Sequence, residues 1–173
     1  LTTLQRDGNR LLGYTAQQVL DYAQALYEKK LLTYPRTDSC FLTEDMADTV
    51  QPLAAQSARC LPFPATAETV NIARVIDGAK VSDHHALLPT MEVCAEALAA
   101  LPAGERNILM LVMVRLLCAV GESQQAEDST VTLDCGGAVF TAKGRVVTRP
   151  GWKAVEQAYL ATLRQKPEQT EEP

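Results

Sequence analysis

The chain has 173 residues, a formal net charge of −5 and an apolar content of 47%, of which only a small part is aromatic. This length fits one ordinary domain, and the aliphatic, alanine-rich composition favours packed helices over a β-sandwich. The negative charge counts against broad electrostatic binding of nucleic acid, because such binding depends on clustered Lys and Arg that displace counterions. Any contact with nucleic acid is therefore expected to be local.

The first 42 residues differ from the rest in charge, since they carry five Lys and Arg against four Asp and Glu, a net charge of +1. Five widely spaced cysteines without a C-x-x-C pair predict neither a zinc site nor a disulfide framework, and they fit a reducing cytoplasm. The most apolar run, residues 108–120, is interrupted by Arg115 and is too short to span a bilayer, and no signal peptide opens the chain. We expect a cytoplasmic protein without a membrane anchor, and, because it starts at Leu1, a piece of a longer chain.

Two helices are predicted before residue 31. Thr3 is expected to cap a short helix that Gly13 ends, because glycine readily adopts the left-handed conformation of a helix C-terminus. Thr15 and Gln18 match a capping box, and apolar residues follow at helical spacing to about Lys30. Three tyrosines of this region are interpreted as packing residues: Tyr14, Tyr22 and Tyr27.

Four helices are predicted in the middle of the chain. The first begins at Thr43 and runs to about residue 58, and Pro52 should kink or shorten it. Two short helices are expected over residues 66–76 and 91–100. Residues 105–120 predict a long, almost wholly apolar helix at the centre of the core, with Arg106 and Arg115 reaching out of it.

Beyond Gly121 the pattern changes from helix to strand. Residues 129–134 alternate strand formers, and Gly136-Gly137 predicts a turn, after which two strand segments flank Lys143-Gly144: residues 138–141 and 145–148. A last helix is expected from Trp152 to about residue 163, and the acidic, proline-flanked tail is expected to be disordered. The predicted fold class is mainly α, with a helical domain over residues 1–120, a small strand-rich segment over 121–163 and a tail over 164–173.

The most distinctive stretch is Leu31-Leu32-Thr33-Tyr34-Pro35-Arg36-Thr37-Asp38-Ser39. Pro35 biases Tyr34 away from the α region, so the preceding helix should end before the tyrosine and project its ring from a constrained turn. A free tyrosine titrates near ~10, so a nucleophilic tyrosine needs neighbouring cations that favour the phenolate and stabilise charge on a phosphoryl oxygen. Arg36 is the nearest such cation. The stretch therefore predicts phosphate chemistry, with Tyr34 and Arg36 as candidate catalytic residues.

The only two histidines, His84 and His85, lie in the stretch Ser82-Asp83-His84-His85-Ala86-Leu87-Leu88-Pro89-Thr90. Adjacent residues of an extended loop point in different directions, so this pair makes a poor shared metal site, and no third ligand is obvious. Two interpretations stay open: polar residues in a turn, or an imidazole that binds phosphate. No metal ligand is predicted.

These two motifs, at this order and separation, resemble the type IA DNA topoisomerases, most closely their bacterial topoisomerase III branch. The resemblance is carried by residues 32–39 and 82–90, and more weakly by Phe140-Thr141-Ala142-Lys143-Gly144 with Gly151-Trp152. It extends over nearly the whole chain, to about Tyr159. Where the family usually has arginine and an aromatic residue after Asp-Ser, this chain has Cys40-Phe41.

The resemblance implies specific roles for the residues of both motifs. Tyr34 would attack a phosphodiester of single-stranded DNA and hold the 5′ end as a phosphotyrosine, leaving a free 3′ hydroxyl. Arg36 would grip the scissile phosphate with a forked contact that lysine reproduces less well. His84, rather than His85, falls at the family's histidine position and would donate to the same phosphate or its neighbour. Three residues would orient Arg36 and the turn or contact the DNA backbone: Thr37, Asp38 and Ser39.

The resemblance also implies what lies outside this chain. The family binds Mg²⁺ through an acidic cluster in an N-terminal Toprim domain, which also supplies a catalytic glutamate and lysine, and nothing in this sequence matches it. The chain would be the tyrosine-bearing domain with part of the strand-rich arch domain, and inactive alone. Its expected partners are single-stranded DNA and the missing Toprim and arch domains. A dimer through unpaired strand edges is a further expectation.

Two alternatives stay open. The chain could be a non-catalytic helical module that binds single-stranded DNA or a protein partner, in which Tyr34 stacks on a base and Arg36 grips phosphate. A fragment of a tyrosine recombinase or relaxase is the third reading, but it would need more basic residues or a histidine triad, and only two histidines are present.

Overall fold

The computed structural model describes residues 1–67 and 69–164 and consists mainly of α-helices with one two-stranded antiparallel sheet. In chain order the elements are α1 (Thr2–Leu12), α2 (Ala16–Glu28), α3 (Ala47–Cys60), α4 (Ala95–Ala100), α5 (Ala103–Val120), β1 (Gln125–Cys135), β2 (Ala138–Arg149) and α6 (Lys153–Arg164). The prediction of a mainly α fold with a small β segment near its C-terminal end is confirmed. The structure does not describe residues 165–173, so the predicted tail over 164–173 lies outside the described residues except for Arg164, where α6 ends. Among those described, no helix is both long and apolar enough to cross a membrane.

Helix α5 forms the centre of the core, as its apolar sequence predicts. All the other helices of the described residues contact it, so it is covered on nearly every side. Its fully buried side chains include Ile108, Leu109, Leu111 and Met113. Val155 and Tyr159 of α6 are buried in the same core. The scaffold on which the loops rest is thus an aliphatic bundle built around one helix.

The predicted ends of α1 and α2 are largely observed. Thr15 Oγ1 accepts a hydrogen bond from the Gln18 N–H at 3.2 Å, and Gln18 Oε1 accepts from the Thr15 N–H at 2.9 Å, which completes the capping box. Gly13 ends α1 with a φ of 71°. The cap predicted at Thr3 is wrong: Leu1 occupies the cap position without a side-chain hydrogen bond, and packing of α1 against α2 determines where the helix starts.

Two of the predicted middle helices differ from the structure. Helix α3 continues through Pro52 to Cys60, so the proline does not shorten it; Pro52 is exposed, while Val50, Leu53 and Ala54 are buried in the core. The burial of that apolar face offsets the loss of one helical hydrogen bond.

The helix predicted over residues 66–76 is absent, and among its described residues only Ile72–Arg74 form a 3₁₀ turn. The Asn71 N–H donates to the Val120 carbonyl at 2.7 Å, and Ile76 forms a β-bridge with Leu42. These tertiary backbone hydrogen bonds replace those of a local helix.

One further prediction is corrected in the second half of the chain, and one side-chain prediction agrees with the structure. Only Ala95–Ala100 of the helix expected over residues 91–100 is helical, because Cys94 caps it, its Sγ accepting from the Ala97 N–H at 3.3 Å. Arg115 reaches out of α5, as predicted: its Nε donates to Asp7 of α1 at 2.8 Å and its Nη1 donates to Glu156 of α6 at 3.0 Å. Burial alone would lower the pKa of this guanidinium, but the two carboxylates outweigh burial and raise that pKa. Arg115 therefore joins three helices.

Strands β1 and β2 form a hairpin whose turn is Gly136-Gly137, as predicted, with φ values of 61° and 87°. The second strand is continuous, since Gly144 pairs with Ser129, and it does not break into the two predicted segments. Residues opposite each other share one face of the hairpin, so Leu133 and Phe140 lie side by side, 58% and 59% exposed. One apolar face of the hairpin is thus open to solvent in this chain.

Candidate active site

The end of helix α2 sets the direction in which the chain approaches Tyr34. Lys30 has a φ of 61°, its N–H donates to the Tyr27 carbonyl at 2.9 Å, and the Leu31 N–H donates to the Leu26 carbonyl at 2.9 Å. This pair of hydrogen bonds is a Schellman motif, which closes a helix with a left-handed residue. The helix therefore ends before Tyr34, as Pro35 predicts.

Residues 31–42, the tyrosine segment, lie beside residues 80–90, the histidine segment, and the two pair antiparallel at Leu32 and Pro89. The Thr33 N–H donates to the Leu88 carbonyl at 2.9 Å, and the Thr90 N–H donates to the Leu31 carbonyl at 3.1 Å. Thr33 Oγ1 in turn accepts from the Leu88 N–H at 2.9 Å. The two sequence motifs therefore come together by backbone pairing.

The far end of the tyrosine segment is fixed as well. The Ala86 N–H donates to the Phe41 carbonyl at 2.8 Å, and the Leu42 N–H donates to the Val75 carbonyl at 2.8 Å. Leu42 itself is buried. Because both ends are anchored, the turn between them, which carries Tyr34 and Arg36, has little freedom to move.

The Tyr34 ring is half-buried between two other rings. The imidazole of His84 lies with its centroid 4.6 Å from that of Tyr34, tilted by 49°, and Tyr27 packs edge-on with a centroid distance of 5.5 Å. Aromatic pairs at these distances contribute about 0.5–1.5 kcal/mol each beyond their buried area. The phenol is therefore held in one orientation beside an imidazole.

Arg36 and His84 are both exposed and line the same cleft, whose volume is about 560 Å³. Asp38 and Asp83 also line it. Across residues 1–67 and 69–164, Arg36 makes no ion pair. Its guanidinium is thus available to an anion that enters the cleft, and a phosphate has the shape to accept its forked donors.

The two histidines have different surroundings. His85 is half-buried, and its Nδ1 lies 2.7 Å from the Ala86 carbonyl, to which the protonated nitrogen donates. His84 is exposed and contacts Tyr34. The structure therefore brings His84, and not His85, together with the tyrosine.

The hydroxyls of the turn form internal hydrogen bonds. Thr37 is only 6% exposed; its Oγ1 donates to the His84 carbonyl at 2.9 Å and accepts from the Ser39 N–H at 3.2 Å. Ser39 Oγ donates to the Lys80 carbonyl at 2.9 Å. Asp38, by contrast, is exposed at the cleft. A direct DNA contact by Thr37, Asp38 or Ser39 stays a prediction.

Two side chains near the site were not expected there from the sequence. Tyr27, interpreted as a packing residue, does pack, but on the Tyr34 ring, and remains 41% exposed. Lys80 places its Nζ 4.5 Å from the centre of the Phe41 ring, a cation–π contact. Tyr27 lies one turn before the end of a predicted helix, which hints at its position; nothing in the sequence links Lys80 to Phe41.

Within the part of the chain that the structure describes, no three His, Cys, Asp or Glu side chains converge as ligands for a metal ion. The residues at the cleft are also of the wrong kind for a cation site, because Arg36 and His84 accompany its two carboxylates. The arrangement is suited to binding an anion next to a phenol.

Comparison with known proteins places this arrangement in a family. A model of the DNA topoisomerase family matches residues 1–172. The chain is 41% identical over 165 residues to DNA topoisomerase 3 of Bacillus licheniformis and 37% identical over 162 residues to that of Bacillus subtilis. DNA topoisomerase 3 of Bacillus thuringiensis strain Al Hakam is 35% identical over 161 residues.

Each match covers 90% of this chain but only 22% of the relative, so the chain spans about a fifth of the length of these proteins. The match includes the tyrosine and histidine segments, and it agrees with the resemblance seen in their motifs. The chain therefore belongs to the type IA DNA topoisomerase family and is similar to bacterial topoisomerase III.

Proposed function

We propose that this chain carries the nucleophile of a DNA topoisomerase that breaks one DNA strand, holds its 5′ end on Tyr34 and rejoins it without ATP. The contact between the Tyr34 ring and the His84 imidazole carries the proposal, because it joins two motifs 50 residues apart in sequence, and His84 lines a cleft together with Arg36. Arg36 adds a cation without an ion-pair partner among the described residues.

The proposed step is an in-line displacement at phosphorus. The Tyr34 oxygen forms a bond to the scissile phosphorus as the bond from phosphorus to the 3′ oxygen breaks. The phenol gives up its proton, and the leaving 3′ oxygen takes one up, so the charge on the phosphodiester is unchanged. Rejoining is the same step in reverse, and the phosphotyrosine retains the bond energy, so no nucleotide is consumed.

Arg36 and His84 supply the positive charge that this step needs. Negative charge develops on the non-bridging oxygens and on the leaving 3′ oxygen in the transition state, and donors that are already held in place stabilise that charge. A guanidinium offers two parallel donors to a phosphate, and an imidazole offers one. We assign Arg36 to the scissile phosphate and His84 to the same phosphate or its neighbour.

The parent enzyme would need parts that this chain does not provide. In the proposed parent, a Toprim domain would hold Mg²⁺, and the rest of the arch domain would surround the tyrosine-bearing domain. This chain alone would bind single-stranded DNA weakly and would not cleave it. DNA as substrate fits a cytoplasmic location, and dimerisation through the edges of the β-hairpin remains a proposal of the same kind.

Replacing Tyr34 with Phe tests the proposal in a full-length topoisomerase III that carries this chain in place of its matching segment, called the host enzyme below. Tyr34→Phe removes only the phenol oxygen and keeps the ring contacts with His84 and Tyr27. We expect relaxation of supercoiled DNA to be abolished while affinity for a single-stranded oligonucleotide is retained. Relaxation is followed on gels and affinity by fluorescence anisotropy.

Tyr27→Phe is the matched control, because it removes a hydroxyl from the neighbouring ring and should leave relaxation unchanged. The non-catalytic alternative, in which Tyr34 stacks on a base, predicts the opposite for Tyr34→Phe. A phenylalanine ring stacks as well as tyrosine, so that variant would keep both its activity and its affinity. If Tyr34→Phe still relaxes supercoiled DNA, Tyr34 is not the nucleophile.

A further inference from the structure

Three hydroxyl side chains of the tyrosine segment each make a hydrogen bond to the backbone of the histidine segment. Thr33 pairs with Leu88, Thr37 with His84, and Ser39 with Lys80. The partners of these three hydroxyls fall in the opposite order along the two segments, and Phe41 then bonds back to Ala86. Side-chain hydroxyls thus link the two segments between the backbone bonds at Thr33 and at Phe41.

Thr37 is the member of this series that is directly linked to the site. Its side chain is buried, its Oγ1 lies 2.9 Å from the His84 carbonyl oxygen, and the His84 ring lies on Tyr34. The nearest other links between the segments are the bond from the Ser39 hydroxyl to the Lys80 carbonyl and the bond from the Ala86 N–H to the Phe41 carbonyl. Among these bonds, the one from the Thr37 hydroxyl is the one that holds the backbone of His84 itself.

We propose that Thr37 is a positioning residue, which sets the place of the His84 imidazole relative to Tyr34 and Arg36 by holding the His84 carbonyl. This inference rests on the proposed function. Thr37 lies one residue beyond Arg36, so the same side chain ties the arginine's turn to the histidine's backbone. Loss of the hydroxyl leaves the His84 carbonyl without its donor and lets the two cationic side chains move apart.

The experiment compares two substitutions in the host enzyme. Thr37→Val keeps the shape of the side chain and loses the hydroxyl, whereas Thr37→Ser keeps the hydroxyl. The rate of single-turnover cleavage of a single-stranded oligonucleotide should fall about 10- to 100-fold in Thr37→Val, since displacement of a catalytic group by about 1 Å has such an effect. Thr37→Ser should retain the rate, and oligonucleotide affinity should be unchanged in both variants.

Thr162→Val is the matched control. The Thr162 hydroxyl also donates to a backbone carbonyl, that of Tyr159 at 2.7 Å, but within α6. This variant should cleave at the unsubstituted rate. If Thr162→Val cleaves as slowly as Thr37→Val, the slower cleavage results from lower stability, and the proposal is overturned.

A double-mutant cycle shows whether Thr37 acts through His84. We expect Thr37→Val combined with His84→Ala to cleave no more slowly than His84→Ala alone. If the losses of cleavage rate in the two single variants multiply in the double variant, Thr37 acts independently of His84, which would refute the inference. Full activity of Thr37→Val, or weakened oligonucleotide binding by it, would also refute the inference. If Thr37→Val fails to fold, Thr37→Ser decides: a rate as low as that of His84→Ala overturns the proposal.

The outcome for Thr37 is separate from the test of the nucleophile. If Tyr34→Phe is inactive and Thr37→Val is not slowed, only this inference fails. If Tyr34→Phe still cleaves, the proposed function fails whatever Thr37 does.

Discussion

Tyr159 is a buried polar side chain outside the site, only 1% exposed. Its hydroxyl has no hydrogen-bond partner among the described residues, and burial raises its pKa to about 12 from an ordinary 10.0. A buried hydroxyl without a partner costs free energy that a phenylalanine at the same place does not. The residue therefore stabilises the fold through its ring and opposes it through its oxygen.

Tyr159→Phe is expected to raise the free energy of unfolding by about 1–3 kcal/mol at neutral pH, the range for an unsatisfied buried group. Urea unfolding of the chain measures it. Tyr14→Phe is the control, because the Tyr14 hydroxyl accepts from Asn107 at 2.8 Å and its loss should lower stability. A Tyr159→Phe variant that is less stable than the parent would contradict the assignment.

The same residue should give the fold a dependence on alkaline pH. Because folding raises the Tyr159 pKa, the unfolded chain loses this proton first. The contribution of the protonated hydroxyl to the free energy of unfolding is therefore complete below pH 10.0 and is lost as the pH rises toward about 12. Burial likewise raises the Cys118 pKa to about 11 from 9.0, which starts a decline near pH 9.0. In Tyr159→Phe the free energy of unfolding should still decline from about pH 9.0 because of Cys118. The additional decline above pH 10.0 that Tyr159 causes should be absent.

For single residues, the sequence predicted which side chains carry the chemistry better than it predicted which side chains contact each other. Tyr34, Arg36 and His84 could be selected from their motifs, and in the structure Arg36 and His84 line one cleft while the Tyr34 ring packs against His84. The bond from Thr37 to the His84 carbonyl could not be selected, because it depends on how two segments 47 residues apart align. The Lys80 contact with Phe41 is hidden for the same reason.

Among the elements, the end of helix α2 has the clearest energetic consequence. Lys30 adopts the left-handed conformation, with a φ of 61°, and is the only non-glycine residue among those described with a positive φ. This conformation costs an L-residue with a side chain about 1–2 kcal/mol. This strained residue lies shortly before Tyr34, the candidate nucleophile, in the sequence.

Lys30→Gly should therefore raise the free energy of unfolding by about 0.5–1 kcal/mol, the strain relieved less the extra entropy that glycine loses on folding. Lys30→Ala removes the same charge but keeps the strain, so it should show no gain. Both are measured by urea unfolding of the chain. A gain in the alanine variant as large as in the glycine variant would show that charge, and not backbone strain, is responsible.

Whether an element could be predicted depended on whether local or distant contacts decide it. The capping box of α2 and the Gly13 end of α1 are local and were predicted correctly. The helix expected over residues 66–76 failed because Leu42 pairs with Val75 and Ile76, more than 30 residues away. The length of β2 was missed because its pairing with β1 extends through Gly144.

For the whole molecule, α5 is the central helix of the core, and the tyrosine and histidine segments bury Leu32, Leu42 and Leu88 in that core. The hairpin adds an apolar face that this chain leaves open to solvent, with Leu133 and Phe140 at its centre. The chain spans 22% of the relatives' length, and the need for further domains of a longer parent stays a proposal. Whether residues 121–163 form part of an arch domain stays a prediction.

Transfer of label from DNA to Tyr34 tests the central claim most directly. The host enzyme is mixed with single-stranded oligonucleotide labelled at the 3′ or the 5′ end, stopped with detergent, and mapped by peptide mass spectrometry. We predict that only the 3′-labelled DNA stays on the protein, attached to Tyr34, and that the isolated chain with Mg²⁺ gains no label. Label from the 5′ end, label on another residue, or label on the isolated chain would contradict this account.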